Sequence, residues 1–411
     1  VSALAATAAP PIDAATRLGF GALSIVADGD EYLAGDSETG VFIAVPEIGA
    51  VALRALLEGR TVGEASTVAS EHAGQDVNVA EFAEVLIEAG LVATIDGRSL
   101  RDAADPGPRW IAGVRPELVR PFFSAPAWTL YASLFAGSLA VLVARPEFRP
   151  TFEDGFFYAN PALCVTVGYA ARVLLAATHE LCHWLAARAA GVSARFRVDR
   201  RLFVPVFETD LSQLLALPRR QRFGPFLAGM AFDSVILSTG LGIRVAWAAG
   251  AGIPPLLVRF AGFLVLVESI ALAFQFLVFL RTDIYAVLTT ALGCRNLWRV
   301  NLLTAKNWIN LLSEEERAEL ADAHVRDRAV ARWFALVYAA GLGFAGWVFV
   351  VLFWPGTAVV AAWMFHVLRS VQFGSKDFWE ALAIAAIALI QIVWPLTLIA
   401  IERLRARAVT A

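Results

Sequence analysis

His179-Glu180-Leu181-Cys182-His183 are the residues of this chain whose types and spacing most directly allow chemistry. On a helix, residues four apart share a face, so two imidazole nitrogens from His179 and His183 can reach one zinc ion. Glu180 stands beside them, placed to take a proton from a water activated there. Cys182 points away from the histidine face and reads as a helix-packing residue. The pentad sits in an apolar run from Pro161 to Gly191 whose only other charges are Arg172 and Arg188. An ionisable side chain at membrane depth costs about 3 kcal/mol on insertion scales, which favours a purpose over chance.

The elements that must hold these residues are membrane helices. Hydrophobic residues make up 58% of the chain and charged residues 17%, and the mean hydropathy is +0.63, a balance that a soluble globular domain does not have. Charges are interleaved up to about Arg120, and long apolar runs dominate from Pro126 onward. The expected fold is a polytopic α-helical membrane protein with a small N-terminal α+β domain. Its parts are a disordered lead-in (1–18), a soluble module (19–100), a linker (101–125) and a transmembrane domain (126–411). No removable signal peptide is expected, because Val1 to Thr16 lacks a basic start and an apolar core. Cys164, Cys182 and Cys294 form neither a disulfide framework nor a Cys-x-x-Cys knuckle. A net charge of −3 gives no reason to invoke nucleic acid.

Six runs are long enough to cross about 30 Å of hydrocarbon: Pro126-Ala144, Pro161-Ala190, Pro225-Ala249, Pro255-Leu280, Arg332-Trp354 and Phe378-Ile401. Gly356-Arg369 is too interrupted to count and reads as a re-entrant or interfacial segment, or a seventh span. Arginines crowd the approach to the first span, the second connection (Arg195 to Arg222), the stretch after the fourth span and the C-terminal end. By the positive-inside rule both termini are cytoplasmic, in a multi-pass protein of the cell membrane. His179 and His183 then lie in the inner half of the second span.

Two histidines leave a tetrahedral zinc short of one protein ligand and a water. His72, His324 and His366 fall in the soluble module, a cytoplasmic loop and the far side. Asp283 is an acid at the inner end of a span running in the same direction as the second, and it is the preferred third ligand. Asp233 is the main rival as an alternative ligand; Asp210 and Glu268 are weaker ones. Each has an ordinary reading too. Asp283 can pair with Arg281 or Arg295 at headgroup level, Asp233 can join a contact between helices, and Glu268 can serve as an interior hydrogen-bond partner.

The pentad in a membrane helix, Ala228-Gly229-Met230-Ala231-Phe232-Asp233 on the next span and an acid after the following one resemble the site-2 protease family of intramembrane zinc metalloproteases. The resemblance spans roughly residues 160 to 300. In that family the third ligand is the Asp of a Leu-Asp-Gly motif. Here the segment reads Leu280-Arg281-Thr282-Asp283-Ile284, so the Asp carries over and the glycine does not. This departure resembles a bacterial branch of peptide zinc metalloproteases associated with ribosomally made, modified peptides. The resemblance implies one Zn2+ per chain on His179, His183 and Asp283, Glu180 as general base, and Asp233 where relatives carry an Asn that helps position substrate.

Within the soluble module, short strand-like runs (Leu23-Ala27, Tyr32-Ala34, Gly40-Val45) precede three helices, Pro46-Leu57, Val62-Ala73 and Asn78-Ala89, and a last strand at Gly90-Ala93. This order fits a winged-helix-like unit. The helix, Glu58-Gly59-Arg60-Thr61-Val62, helix, Ala89-Gly90-Leu91-Val92 pattern resembles PqqD-like domains, which implies recognition of a leader peptide by strand addition. The module carries more acids than bases, which argues against DNA. The connection Ala194-Phe207 alternates apolar and charged residues in places, as a hairpin at the inner surface would. An edge there could pair with an unwound substrate strand, and a basic segment held by anionic headgroups fits equally well.

The expected function is an intramembrane zinc metallopeptidase that cuts a peptide or membrane-associated precursor near the cytoplasmic face, with leader removal from a modified peptide as the favoured setting. The alternatives are cleavage of a membrane-anchored regulator and a non-catalytic membrane protein that binds or helps export peptides. The expected partners are a peptide or protein substrate and the lipid bilayer, and the sequence does not set an oligomeric state.

Overall fold

The structure is a computed structural model that describes residues 12–354, apart from 30, 37–40, 101–113, 193–194 and 202–203. Beyond them it describes 358, 361–362, 365–366, 369–370, 372–387, 389–390 and 397.

In the N-terminal module β1 (Leu18–Phe20), β2 (Leu23–Asp28), β3 (Glu31–Asp36) and β4 (Val41–Val45) precede α1 (Glu47–Leu57), α2 (Val62–Ala73) and α3 (Val79–Glu88), with β5 (Val92–Ile95) and β6 (Arg98–Ser99) last. The strands make two antiparallel sheets, β1-β5-β6 and β2-β3-β4. The strand after α3 therefore pairs with β1, which is too short to show in the sequence pattern, and not with β2, β3 or β4. Residues 12–17, expected in the lead-in, form a turn in which Asp13 accepts from the Thr16 hydroxyl at 2.8 Å, and Arg17 bridges to Thr61. Leu18, the last residue expected in the lead-in, begins β1, while residues 1–11 and residues 101–113 of the linker lie outside the described residues.

The helices form where their sequences punctuate them. Thr61 and Glu64 close a capping box at the start of α2, and Gly74 ends it in the left-handed conformation at φ +65°. Asn78 caps α3 through Ala80 N–H. Ala50, Leu53 and Leu56 of α1, Val62, Ala65 and Ala69 of α2, and Val79, Ala83 and Leu86 of α3 recur at helical spacing and make the module's core with Val45, Leu91 and Val92.

After α4 (Pro116–Val119) the chain becomes mostly helical: α5 (Ala125–Ala144), α6 (Pro161–Ala189), the hairpin β7 (Arg195–Arg201) and β8 (Val204–Asp210), α7 (Arg219–Ala248), α8 (Pro255–Gln275), α9 (Asp283–Leu292), α10 (Leu297–Trp308), α11 (Glu314–Asp322) and α12 (Val325–Val348). Among the described residues five helices are long and apolar enough to cross a membrane: α5, α6, α7, α8 and the one beginning at Val325. The expected sixth, Phe378-Ile401, is helical over 376–387 and otherwise falls largely outside the described residues, as does much of Gly356-Arg369.

Helix α7 starts six residues before the expected span, at Arg219, and carries Pro225 inside it as its seventh residue. It is the most buried of the five and packs on α5, α6, α8 and α9. Close approach to α8 is permitted by Gly240, where a Cβ would meet the Ala261 carbonyl and Val265 at 3.0 Å. Helix α6 is 29 residues, about 44 Å, so His179 lies about 27 Å along it from Pro161.

Candidate metal centre

The centre is built from facing stripes of two antiparallel helices. On α7, Pro225, Gly229 and Asp233 recur every four residues and share one face. On α6, His179 and His183 face that stripe. His183 Nδ1–H donates to the Pro225 carbonyl at 2.7 Å, and His179 Nδ1 pairs with Asp233 Oδ2 at 2.9 Å. Between these contacts the His179 ring lies on Gly229, where a Cβ would fall 2.3 Å from Nε2. Only a residue without a side chain lets the ring sit there.

A carbonyl cannot donate, so the proton of neutral His183 is on Nδ1, and Asp233 sets the same tautomer on His179. Both Nε2 atoms then present bare lone pairs. They lie 3.1 Å apart, and Asp283 Oδ2 completes a triangle at 3.1 Å from His179 Nε2 and 3.2 Å from His183 Nε2. Ligand atoms on a tetrahedral zinc at 2.0–2.1 Å are about 3.3 Å apart. With both Nε2 atoms unprotonated, the three lone-pair donors repel one another unless a cation joins them, and their spacing is that of ligands sharing one ion.

Asp283 reaches the triangle because the chain breaks after α8. A 3-10 turn at Val278–Leu280 is followed by Arg281 at φ +58°, a left-handed conformation that costs a non-glycine residue about 1–2 kcal/mol. The buried Thr282 hydroxyl then donates to the Gln275 carbonyl at 2.6 Å, and the Asp283 N–H donates to Gln275 Oε1 at 3.0 Å. Phe279 anchors the break against α12 at Gly341, where a Cβ would clash with the ring.

Glu180 is beside the triangle, with His179, Glu180 and His183 offering ligand atoms within 4.8 Å of one another. Asp283 is the better third ligand on distance, since it lies 3.1–3.2 Å from both histidine nitrogens. Strand β8 holds Glu180: Thr209 N–H donates to Oε2 and the Thr209 hydroxyl donates to the Glu180 carbonyl, both at 2.9 Å. A backbone N–H aimed at Glu180 points away from β7, so the free edge of β8 borders the carboxylate.

The rivals fall elsewhere. Asp233, 3% exposed, lies on the far nitrogen of His179, away from the triangle. Glu268 of α8 is buried behind it, its carboxyl directed at Asp233 and its Oε2 without a hydrogen-bond partner among the described residues. Asp210 ends β8 and its side chain is outside the described residues. His72 pairs with Glu47 in the module at 3.6 Å. Pro225, Gly229, Gln275 and Thr209 were not anticipated as parts of the site. The four-residue repeat 225-229-233 was the available signal for the first two. For Gln275 and Thr209 the sequence carries none, because a loop break and a strand edge bring them in.

Compared with models of known families, with curated proteins and with solved structures, the chain matches none of them.

Proposed function

We propose that this protein is a multi-pass membrane zinc metallopeptidase, with His179, His183 and Asp283 as ligands and Glu180 as general base. The convergence of His179 Nε2, His183 Nε2 and Asp283 Oδ2 at 3.1–3.2 Å, with Glu180 adjoining, is the observation that carries this reading. A zinc held there would acidify water and polarise a peptide carbonyl. Glu180 takes the proton of the attacking water and returns it to the amide nitrogen as the peptide C–N bond breaks, giving a carboxylate and an amine. Asp233 and the Pro225 carbonyl keep both imidazoles turned with Nε2 inward. The free edge of β8 offers main-chain groups to an extended substrate, which would lie across Glu180 after displacing the Thr209 contact.

The finer arrangement belongs to the same proposal: a sixth span at Phe378-Ile401, both termini on the cytoplasmic side, and a winged-helix-like module that presents a leader peptide. Supporting it, the β2–β3 turn of the module reaches Arg219 at the start of α7 through Asp28, at 3.0 Å. This sets the module beside the two helices that bring Asp233 and Asp283 to the site.

Purified protein is expected to carry about one zinc by elemental analysis. With a precursor peptide encoded beside the chain, Glu180→Gln should keep that zinc and lower cleavage by about 10²–10⁴-fold. Full activity in this variant would remove Glu180 as base, and absence of zinc from active wild-type protein would remove the reading altogether.

A further inference from the structure

A second polar cluster lies where the module meets the membrane domain, and its charge is opposite to that of the metal centre. A cavity of about 210 Å³ is lined by Arg219, Arg222, Arg281 and Arg295 with a single carboxylate, Asp28. Asp28 reaches Arg219 Nε at 3.0 Å and Arg222 Nη1 at 3.5 Å. Arg222 is 3% exposed, and its guanidinium also donates to the carbonyls of Leu215 and Leu217. Arg295 pairs with Glu31 at the rim, and Arg281 stacks on the Trp298 ring at 5.4 Å. The nearby buried acid, Asp327, accepts the backbone N–H groups of Arg295 and Asn296 at 3.0–3.2 Å.

The other titratable lining groups do not offset this charge. Burial pushes the Cys294 thiol up to about 12, so it is neutral at physiological pH. Four guanidinium groups therefore meet two carboxylates, Asp28 in the lining and Glu31 at the rim. Like charges gathered at a low-dielectric boundary repel, and Arg219 and Arg222 also sit in the first turn of α7, where the helix dipole favours an anion.

We propose that this cavity binds a phosphate group, carried by a phospholipid head or free in solution. Guanidinium forks match phosphate oxygens and hold them by charge-assisted hydrogen bonds. At about 210 Å³ the cavity has room for a phosphate but is below the size of sites that take larger ligands. Its place at the α7 end that the arginine distribution assigns to the cytoplasmic surface is where headgroup phosphates lie. Because Asp28 comes from the module and the arginines from the membrane domain, a bound phosphate competes with Asp28 and so bears on how the two parts dock. The inference does not rest on the peptidase reading.

The test uses full-length protein in a neutral detergent at constant ionic strength. Inorganic phosphate, dihexanoyl phosphatidic acid and phosphate-free dihexanoylglycerol are titrated in turn, with the thermal midpoint and tryptophan fluorescence as readouts. A midpoint rise of about 2–4 °C with phosphate or with the phosphatidic acid, and none with dihexanoylglycerol, is expected. Whichever of the two acts at the lower concentration identifies the source. Arg219→Gln and Arg295→Gln should each weaken binding about tenfold, and Asp28→Asn should tighten it several-fold by removing the competing carboxylate. No rise beyond that given by chloride overturns the proposal, as does undiminished binding by the arginine variants. Should those variants fail to fold, weaker binding by Asp28→Asn overturns it equally.

Discussion

The metal centre and the arginine cavity are two charged clusters separated along the chain by little more than Arg281-Thr282-Asp283, and they are built in different ways. At the centre, helices α6 and α7 carry both histidines, Glu180 and the groups that turn the rings, and each imidazole is held through its Nδ1. In the cavity the side chains come from a hairpin turn, a helix start and two connections, and the carboxylate supplied by the fold is outnumbered. Helix faces give precision to lone pairs that must meet within a few tenths of an ångström. Loops and domain contacts gather charge with looser geometry, which suits an anion held by several flexible forks.

The sharpest break in this comparison is Asp283→Ala, which removes the one proposed ligand that is not on α6. Zinc content should fall from about one per chain to near zero, and cleavage with it, by elemental analysis of the folded protein. Zinc retained in Asp283→Ala and lost in Asp233→Ala would make Asp233 the third ligand. Next in size is Asp233→Asn, which keeps the shape but loses the charge behind His179. Chelator competition should show zinc affinity lower by about 10–100-fold. Gly229→Ala places a Cβ 2.3 Å from His179 Nε2 and is expected to displace that ring, destabilising the protein by about 1–3 kcal/mol and weakening zinc binding while circular dichroism stays helical. Unchanged zinc affinity there would mean that the ring is not held against α7. The smallest effect is far from both clusters: Thr61→Ala removes the α2 capping box and should cost the module about 1 kcal/mol in denaturant unfolding, with zinc content unchanged.

Legibility in the sequence follows the range of the interaction. The paired histidines needed one helical turn, so their spacing was enough. The five apolar helices were visible as runs of hydrophobicity, and their true ends were not: α7 runs through Pro225, and α8 stops at Gln275 where the apolar run continues to Leu280. The three helices of the module were visible from periodicity and caps. Its sheet pairing was not, since β1 has three residues and its partner β5 lies some 70 residues away, a separation no local pattern records.

What the sequence by itself determined is what a single helix or a short window can express: a His-Glu-x-x-His face, apolar lengths that suit a bilayer, helix caps, and arginines collected on alternate connections. Tertiary structure alone decided that Asp283 closes the triangle, that Asp233 stands behind His179 and outside it, that Thr209 meets Glu180, and that Asp28 meets Arg219 and Arg222. Each of those is a meeting of side chains or backbone from separate elements. Its geometry is set by how helices pack and where the chain turns, and neighbours in sequence carry no trace of that.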